Sequence, residues 1–235
     1  MKLQVVISCE HASNEVPEAY RSLFVQAESD LNSHRGWDPG SYDIAEHLGK
    51  HLESDPFVYP YTRLLVEPNR SLDNEQLFSE FSKLLSRKEK IQLVNTYYKP
   101  YRELVESQIR ELTGKGPVLH LGIHTFTPDW NGTRRDVDIG ILFDPGRDYE
   151  QQYAHLLVDQ LSGNGFVVKE NEPYLGISDG FTTYLRTRFE DTQYMGFEIE
   201  VSQGLLGRLS EVSALLSQAI SKVNLSFQGR IAYSE

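Results

Sequence analysis

Short apolar segments with the length and β-branched content of strands alternate with segments of helical periodicity along the chain. The strand candidates are residues 3–8, 63–67, 118–125, 137–143, 165–169 and 195–201. Helical spacing marks residues 42–52, 75–112, 149–161 and 210–223, with an expected break near Pro100. Such alternation is typical of a three-layer α/β sandwich with a mixed, mostly parallel sheet. The sequence therefore predicts this fold class.

The composition is even from one end of the chain to the other. Neither an internal repeat nor a Gly-, Ser- or Pro-rich linker divides the 235 residues, which predicts one domain over residues 1–235. Lysine and arginine total 23 and aspartate and glutamate 34, giving a net charge of -11. This balance disfavours nucleic-acid binding, which depends on neutralised phosphates. No apolar run approaches the roughly 18 residues of a membrane span.

The cysteine content and the N-terminal residues of the chain indicate the cellular compartment in which we expect the protein. Cys9 is the single cysteine, so no internal disulfide can form. The N-terminal segment becomes polar too early for a signal peptide. We therefore expect a reduced, cytoplasmic protein, and the sequence predicts no oligomeric state.

Histidines stand at the ends of two predicted strands. Ligands of such sheets bind beyond the carboxyl ends of the strands. His11 follows the first strand and His124 lies at the end of the third, while Asp38 precedes the helix at residues 42–52. Two imidazoles and one carboxylate suit a catalytic zinc ion with one open position, although other divalent metals accept the same donors. The competing interpretation is two polar histidines at a sheet edge that bind nothing.

The carboxylate of this cluster is not settled by the pattern. Glu10 is adjacent to His11 and would point to the opposite side of a strand. Glu15, four residues after His11, reaches the site if the intervening loop forms a helical turn. Glu15 and Asp38 are therefore alternatives, and the Cys9 thiol is a possible fourth ligand or a buried strand residue.

Arginines near these positions indicate an anionic substrate. Arg63 and Arg70 each present a planar fork of donors suited to a carboxylate or an oxyanion. Arg134 and Arg135 add positive charge shortly after His124, in a chain that is acidic overall. Surface arginines with no role in binding are the alternative interpretation.

Two glutamates alternate in the last predicted strand. Glu198 and Glu200 would face the same side of that strand. Two carboxylates on one side of a buried sheet are costly unless they are paired or used, and one of them suits a general base. An edge strand with a solvated face is the alternative.

Several segments in this order resemble the N-formylglutamate amidohydrolase family. The matching segments are residues 8–17, 34–40, 61–63, 69–70, 123–128, 135–144, 171–174 and 197–199. More distantly, the chain is similar to zinc carboxypeptidases, aspartoacylase-type deacylases and zinc muramoyl-alanine amidases. The resemblance implies a zinc-exopeptidase-like (phosphorylase/hydrolase-like) fold and a site of histidine, carboxylate and histidine.

The resemblance also implies roles for individual residues. It favours His11, Asp38 and His124 as ligands of one Zn²⁺ per chain, although carboxypeptidase-type sites, with an acid shortly after the first histidine, favour Glu15. It implies that Arg63 stabilises the oxyanion and that Glu198 is the catalytic glutamate. It further implies that the substrate carboxylates are held by a group of three residues, namely Asn69, Arg70 and Arg135.

Two positions depart from the family pattern. Residues 67–68 are Glu-Pro where relatives often have Asp-Leu, and we expect this change to leave the other site residues untouched. Glu200 stands where the family often has arginine, so that a cation near the pocket is replaced by an anion.

The function implied is hydrolysis of the amide of a small anionic N-acyl amino acid. The leading candidate is the cleavage of N-formyl-L-glutamate to formate and glutamate. A zinc carboxypeptidase or amidase acting on a peptide is one alternative. A non-catalytic relative that binds an anionic metabolite is the other.

Overall fold

A computed structural model describes residues 2–231 of the chain. Its strands are β1 (Gln4–Cys9), β2 (Phe57–Val58), β3 (Val118–Phe126), β4 (Asp129–Trp130), β5 (Thr133–Arg134), β6 (Ile139–Leu142), β7 (Val168–Glu170) and β8 (Tyr194–Ser202). Its α-helices are α1 (Glu28–Leu31), α2 (Ser41–Leu52), α3 (Arg87–Leu93), α4 (Lys99–Thr113), α5 (Asp148–Leu161), α6 (Phe181–Arg186) and α7 (Leu209–Ile231). Short 3₁₀ helices cover Glu18–Phe24 and Gln203–Arg208.

The central sheet has six strands in the order β2-β1-β3-β8-β6-β7. The first four run parallel, whereas β6 is antiparallel to β8 and parallel to its outer neighbour β7. The small β4–β5 hairpin forms a separate antiparallel pair. The single-domain α/β fold with a mixed, mostly parallel sheet is therefore confirmed.

Helices cover both faces of the sheet and make three layers. Alternate residues of β3 and β8, including Leu121, Ile123 and Ile199, pack against α2, α5 and α7 in the larger hydrophobic core. The second core lies on the opposite face and contains Val105 of α4 and Phe181 of α6. Because strand side chains alternate between faces, His124 and Glu200 point toward this second face.

One predicted strand is wrong. Residues 63–67 form a turn, and the sheet position beside β1 is taken by the short strand β2. Leu65 and Val66 are fully buried without pairing to any strand, and the Thr62 hydroxyl accepts the amide of Leu64. An apolar run signals burial, but it does not show which backbone partner the run has.

The long helical prediction at residues 75–112 is wrong over its first part. The helix begins after Ser86, which forms a capping box with Glu89. The expected break near Pro100 is a π-helical turn at Val94–Tyr98, directly before α4. Pro100 itself lies in the first turn of α4, where its missing amide hydrogen costs little.

No helix within residues 2–231 combines the length and the apolar character needed to cross a membrane.

Truncating Ile44 should destabilise the fold, whereas the same change at Ile91 should not. Both residues lie on helices, but Ile44 is fully buried in the larger core and Ile91 is 52% exposed. We expect Ile44→Ala to lower the free energy of unfolding by about 2–5 kcal/mol. Ile91→Ala should change it by less than about 0.5 kcal/mol. Urea unfolding measures both, and equal effects would contradict the assignment of the core.

Candidate metal centre and active site

The candidate site is a cavity of about 530 Å³ near the carboxyl ends of β1, β3 and β8. Seven of the eight residues predicted from the sequence line it, namely His11, Asp38, Arg63, Asn69, Arg70, His124 and Glu198. Glu200 lines it as well. The location agrees with the rule that ligands of such sheets bind beyond the strand ends.

Three donor atoms of the cluster converge on one point. His11 Nδ1 lies 3.1 Å from Asp38 Oδ2 and 3.1 Å from His124 Nδ1. His124 Nδ1 lies 3.2 Å from Asp38 Oδ2. Ligands about 2.0–2.1 Å from a tetrahedral zinc ion are themselves roughly 3.3 Å apart. All three residues are buried, and the near-equilateral triangle fits a single divalent ion.

Backbone hydrogen bonds bring Asp38 to His11. The amide of Asp38 donates to the carbonyl of His11 at 2.9 Å. The Ser41 amide and hydroxyl both donate to the Asp38 carbonyl where α2 begins. Gly40, between them, has a φ of +86°, and a Cβ there would lie 2.8 Å from side chains of the segment before α7 and of α7 itself. Glycine is therefore required at this turn.

The outer nitrogens of both histidines face carboxylates. His11 Nε2 is 2.6 Å from Glu67 Oε1, and His124 Nε2 is 3.3 Å from Glu10 Oε2. Carboxylates in this position fix the orientation of metal-binding imidazoles. The expectation that Glu67 leaves the other site residues untouched is wrong, because it contacts both His11 and Arg63.

Mutual pairing sets the protonation of the cluster. Burial alone would raise the pKa of the Asp38 carboxyl, but His11, His124 and Arg63 hold it well below its usual range. Burial alone would lower the pKa of His124, but its contacts with the carboxylates of Asp38 and Glu10 raise that pKa well above the usual value. The Asp38 carboxylate therefore stays charged beside the two imidazoles, as a ligand of a divalent cation must.

Arg63 links two of the buried carboxylates. It donates from Nε to Glu67 Oε2 at 2.6 Å and from a terminal nitrogen to Asp38 Oδ1 at 3.3 Å. The residue comes from the turn that replaces the predicted strand, and about a quarter of its side chain is exposed. The guanidinium therefore lies at the wall of the cavity, beside the cluster.

Asn69 connects the turn to Glu198. Its Oδ1 accepts the amide of Phe181 at 2.6 Å, and its Nδ2 donates to Glu198 Oε1 at 3.3 Å. Thr182 Oγ1 donates to the same carboxylate oxygen at 3.2 Å. Arg70 instead donates to the carbonyls of Asn69 and of residue 179, at 2.8 and 3.0 Å. In both of these hydrogen bonds Arg70 contacts a backbone carbonyl and not a carboxylate.

Glu198 accepts hydrogen bonds from Asn69 and Thr182, whereas Glu200 accepts none from the described residues. Glu200 is 7% exposed, and its Oε2 has no hydrogen-bond partner among the described residues. Burial raises the pKa of Glu200 to about 7; His124 lowers it, while Asp38 and Glu198 raise it further.

Arg135 does not line the cavity with the other predicted residues. Its guanidinium lies 5.6, 5.3 and 4.9 Å from the ring centres of Phe126, Trp130 and Tyr174. It also donates to the Tyr174 hydroxyl at 3.0 Å. In this structure Arg135 therefore holds together the aromatic wall at the cavity mouth.

The alternatives Glu15 and Cys9 lie apart from the converging donors. Glu15 is exposed, and its segment forms no helical turn. The Cys9 thiol donates to Ser41 Oγ at 3.3 Å and belongs to the larger core. Burial raises the pKa of this thiol to about 12, which disfavours the thiolate that metals bind.

Polar groups continue beneath the site on the same face of the sheet. His120, two positions before Gly122 on β3, has Nε2 2.8 Å from Ser8 Oγ and Nδ1 2.8 Å from the Tyr194 hydroxyl. Burial lowers the pKa of His120 to about 4. The imidazole is therefore neutral and satisfied by two hydroxyl groups.

The solved structures to which this one is similar include proteins of Agrobacterium tumefaciens and Ralstonia eutropha JMP134. This structure matches a gene product of Agrobacterium tumefaciens with a TM-score of 0.84 and 26% sequence identity, covering 96% of this chain and 92% of that chain. It also matches the N-formylglutamate amidohydrolase from Ralstonia eutropha JMP134 with a TM-score of 0.68 and 16% identity, over 100% of this chain and 96% of that chain. The second likeness shows a shared fold. Among curated proteins no significant match is found.

The family match identifies the class of protein as an amidohydrolase. The family model described as N-formylglutamate amidohydrolase matches residues 3–206. The chain therefore belongs to the N-formylglutamate amidohydrolase family, and the resemblance carried by its motifs is confirmed.

Replacing His120 should reduce the loss of stability on acidification. Its pKa of about 4 in the folded protein lies below the value near 6.5 of the unfolded chain. The unfolded state therefore binds more protons between these values, and the free energy of unfolding falls as the pH drops through this window. We expect His120→Gln to remove about 3 kcal/mol of this fall.

Urea unfolding between about pH 7 and about pH 4 measures this change. His51→Gln, at an exposed position, is the matched control for removing an imidazole. Parallel pH dependence in wild type and His120→Gln would refute the prediction.

Proposed function

We propose that this chain is the catalytic domain of a metal-dependent amidohydrolase that cleaves a small N-acyl amino acid. N-formyl-L-glutamate, yielding formate and glutamate, is the leading candidate and the first substrate to test. The observation that carries the proposal is the triangle of His11 Nδ1, Asp38 Oδ2 and His124 Nδ1 in the wall of the cavity. Membership of the N-formylglutamate amidohydrolase family supports the substrate class.

His11, Asp38 and His124 are the proposed ligands. Two nitrogens and one carboxylate oxygen suit Zn²⁺ and leave part of its coordination open. When bound, the ion supplies Lewis-acid activation of the acyl carbonyl and of water. Glu67 and Glu10 hold the outer nitrogens of the two histidines, so that the inner nitrogens face the ion.

Glu198 is the proposed general base and acid. It lies on β8 beside β3, the strand that carries His124. Its hydrogen bonds from Asn69 and Thr182 fix its Oε1 and orient the carboxyl group toward the cavity that it lines. Glu198 takes a proton from the attacking water and delivers it to the leaving amine nitrogen.

Positive groups on the wall would bind the charged parts of the substrate. Arg63, beside the cluster, would stabilise the oxyanion that develops on the acyl oxygen, a contribution typically of about 3–4 kcal/mol. Asn69 and Arg70 would bind a substrate carboxylate. Arg135 would also bind a substrate carboxylate. It would do so from the cavity mouth, where its guanidinium contacts Trp130 and Tyr174.

Zinc should be required for turnover. We expect metal-stripped protein to leave N-formyl-L-glutamate intact and to release formate after one equivalent of zinc is added. The ion supplies the activation that no other group of the cluster provides. Formate release, followed with a coupled dehydrogenase, measures the rate. An equal rate before and after zinc addition would contradict the metal mechanism.

Substitution of the candidate metal-binding residues should show whether Asp38 or Glu15 is the carboxylate ligand. We expect His124→Ala and Asp38→Asn to weaken zinc binding by more than about 100-fold, because even outer carboxylates typically contribute 10–100-fold. Glu15→Gln, an isosteric change at an exposed acid, should leave the affinity unchanged. Competition with a chromophoric chelator measures the affinity directly. Loss of affinity in Glu15→Gln with retention in Asp38→Asn would reassign the carboxylate ligand.

A further inference from the structure

Glu200 is a buried carboxylate of the cavity wall whose Oε2 has no donor within residues 2–231. Its register neighbours do not supply one. Gly140, opposite on β6, has no side chain. His124, opposite on β3, directs its Nδ1 toward Asp38 and His11 and its Nε2 toward Glu10. Burying a carboxylate without hydrogen-bond partners is costly, and because Glu200 lines the cavity, a molecule bound there can supply a donor that the described residues do not.

Some charged side chains of the cavity wall are paired with an opposite charge within the described part of the chain, whereas others are not. Arg63 already forms ion pairs with Asp38 and Glu67. Arg70 donates to backbone carbonyls and keeps its positive charge available to the cavity. Glu200 keeps one acceptor available. The wall is therefore complementary to a molecule that carries one carboxylate and, separately, a hydrogen-bond donor.

We propose that Glu200 is a specificity residue that accepts a hydrogen bond from the substrate. The preferred N-acyl amino acids then carry an amide N–H or an ammonium group besides the scissile amide. This inference rests on the proposed function and narrows its substrate. A substrate that places a second carboxylate beside Glu200, in the position of the donor, would be disfavoured. A glutamate derivative bound with its second carboxylate in that position is an example.

Two pairs of nearly isosteric compounds test the proposal on zinc-loaded protein. N-formyl-L-glutamine differs from N-formyl-L-glutamate by an amide donor on the side chain. Glycyl-L-glutamate differs from N-propionyl-L-glutamate by an ammonium group on the acyl part. We expect the donor-bearing member of at least one pair to have the higher kcat/KM by about 10- to 100-fold, as is typical of a hydrogen bond to a charged group.

The Glu200→Gln variant tests whether this residue causes the preference. Its carboxamide keeps the shape but loses the charge, and we expect it to reduce the ratio within the pair to about 3-fold or less. Glu111→Gln removes the same charge on the exposed side of α4 and should keep the wild-type ratio. Dissociation constants of the same compounds, measured by calorimetry, provide a readout that does not require turnover.

The outcomes separate this inference from the proposed function. Turnover of N-acyl amino acids with no donor preference in either pair would overturn the inference alone. A donor preference in binding without any turnover would overturn the proposed function and leave the inference standing. An equal loss of kcat for every compound in Glu200→Gln, with unchanged ratios, would overturn the specificity role and assign Glu200 to the chemistry.

Discussion

The buried carboxylate of Asp38 is the contact on which the site depends. Its Oδ2 faces both imidazoles and accepts the amide of Thr125 at the end of β3, and its Oδ1 accepts a hydrogen bond from Arg63. Four separate segments of the chain therefore meet at one side chain. In the interior such a charge is tolerated because both of its oxygens have partners, and removing one partner leaves the others uncompensated.

The sheet divides its two faces between stability and chemistry. On one face, alternate residues of β3 and β8 are large and apolar and pack against three helices. On the other face, the same strands present histidines, glutamates and glycines, and the covering layer includes the turn that carries Arg63 and Asn69. The period of two in a strand makes this division possible within single nine-residue segments. The apolar face supplies the rigidity that fixes the polar side chains on the other.

The sequence was sufficient to predict the fold class and to single out several residues that line the cavity, although Arg135 is not one of them. β1, β3 and β8 are apolar enough to be recognised, and the residues at their ends follow from the position of ligand sites in parallel sheets. The turn at residues 63–67 was not predictable from pattern, because its leucines and valine are buried as in a strand. The contacts of Glu10 and Glu67 with the histidines were also missed, since they depend on tertiary placement. If the alternation of β1 is continued past Cys9, Glu10 falls on the same face of the sheet as Ser8. This alternation could have indicated that Glu10 lies near His124.

The outer strands of the sheet have a consequence for behaviour at high concentration. β2 contains two residues and β7 contains three, so that each edge of the sheet offers little length of regular backbone. Next to β2, the Ser54 hydroxyl donates to the Val5 carbonyl and occupies part of the remaining edge of β1. Long unpaired edges are the usual templates on which other chains add as strands. Short edges therefore leave little backbone on which another copy of the chain could add as a strand.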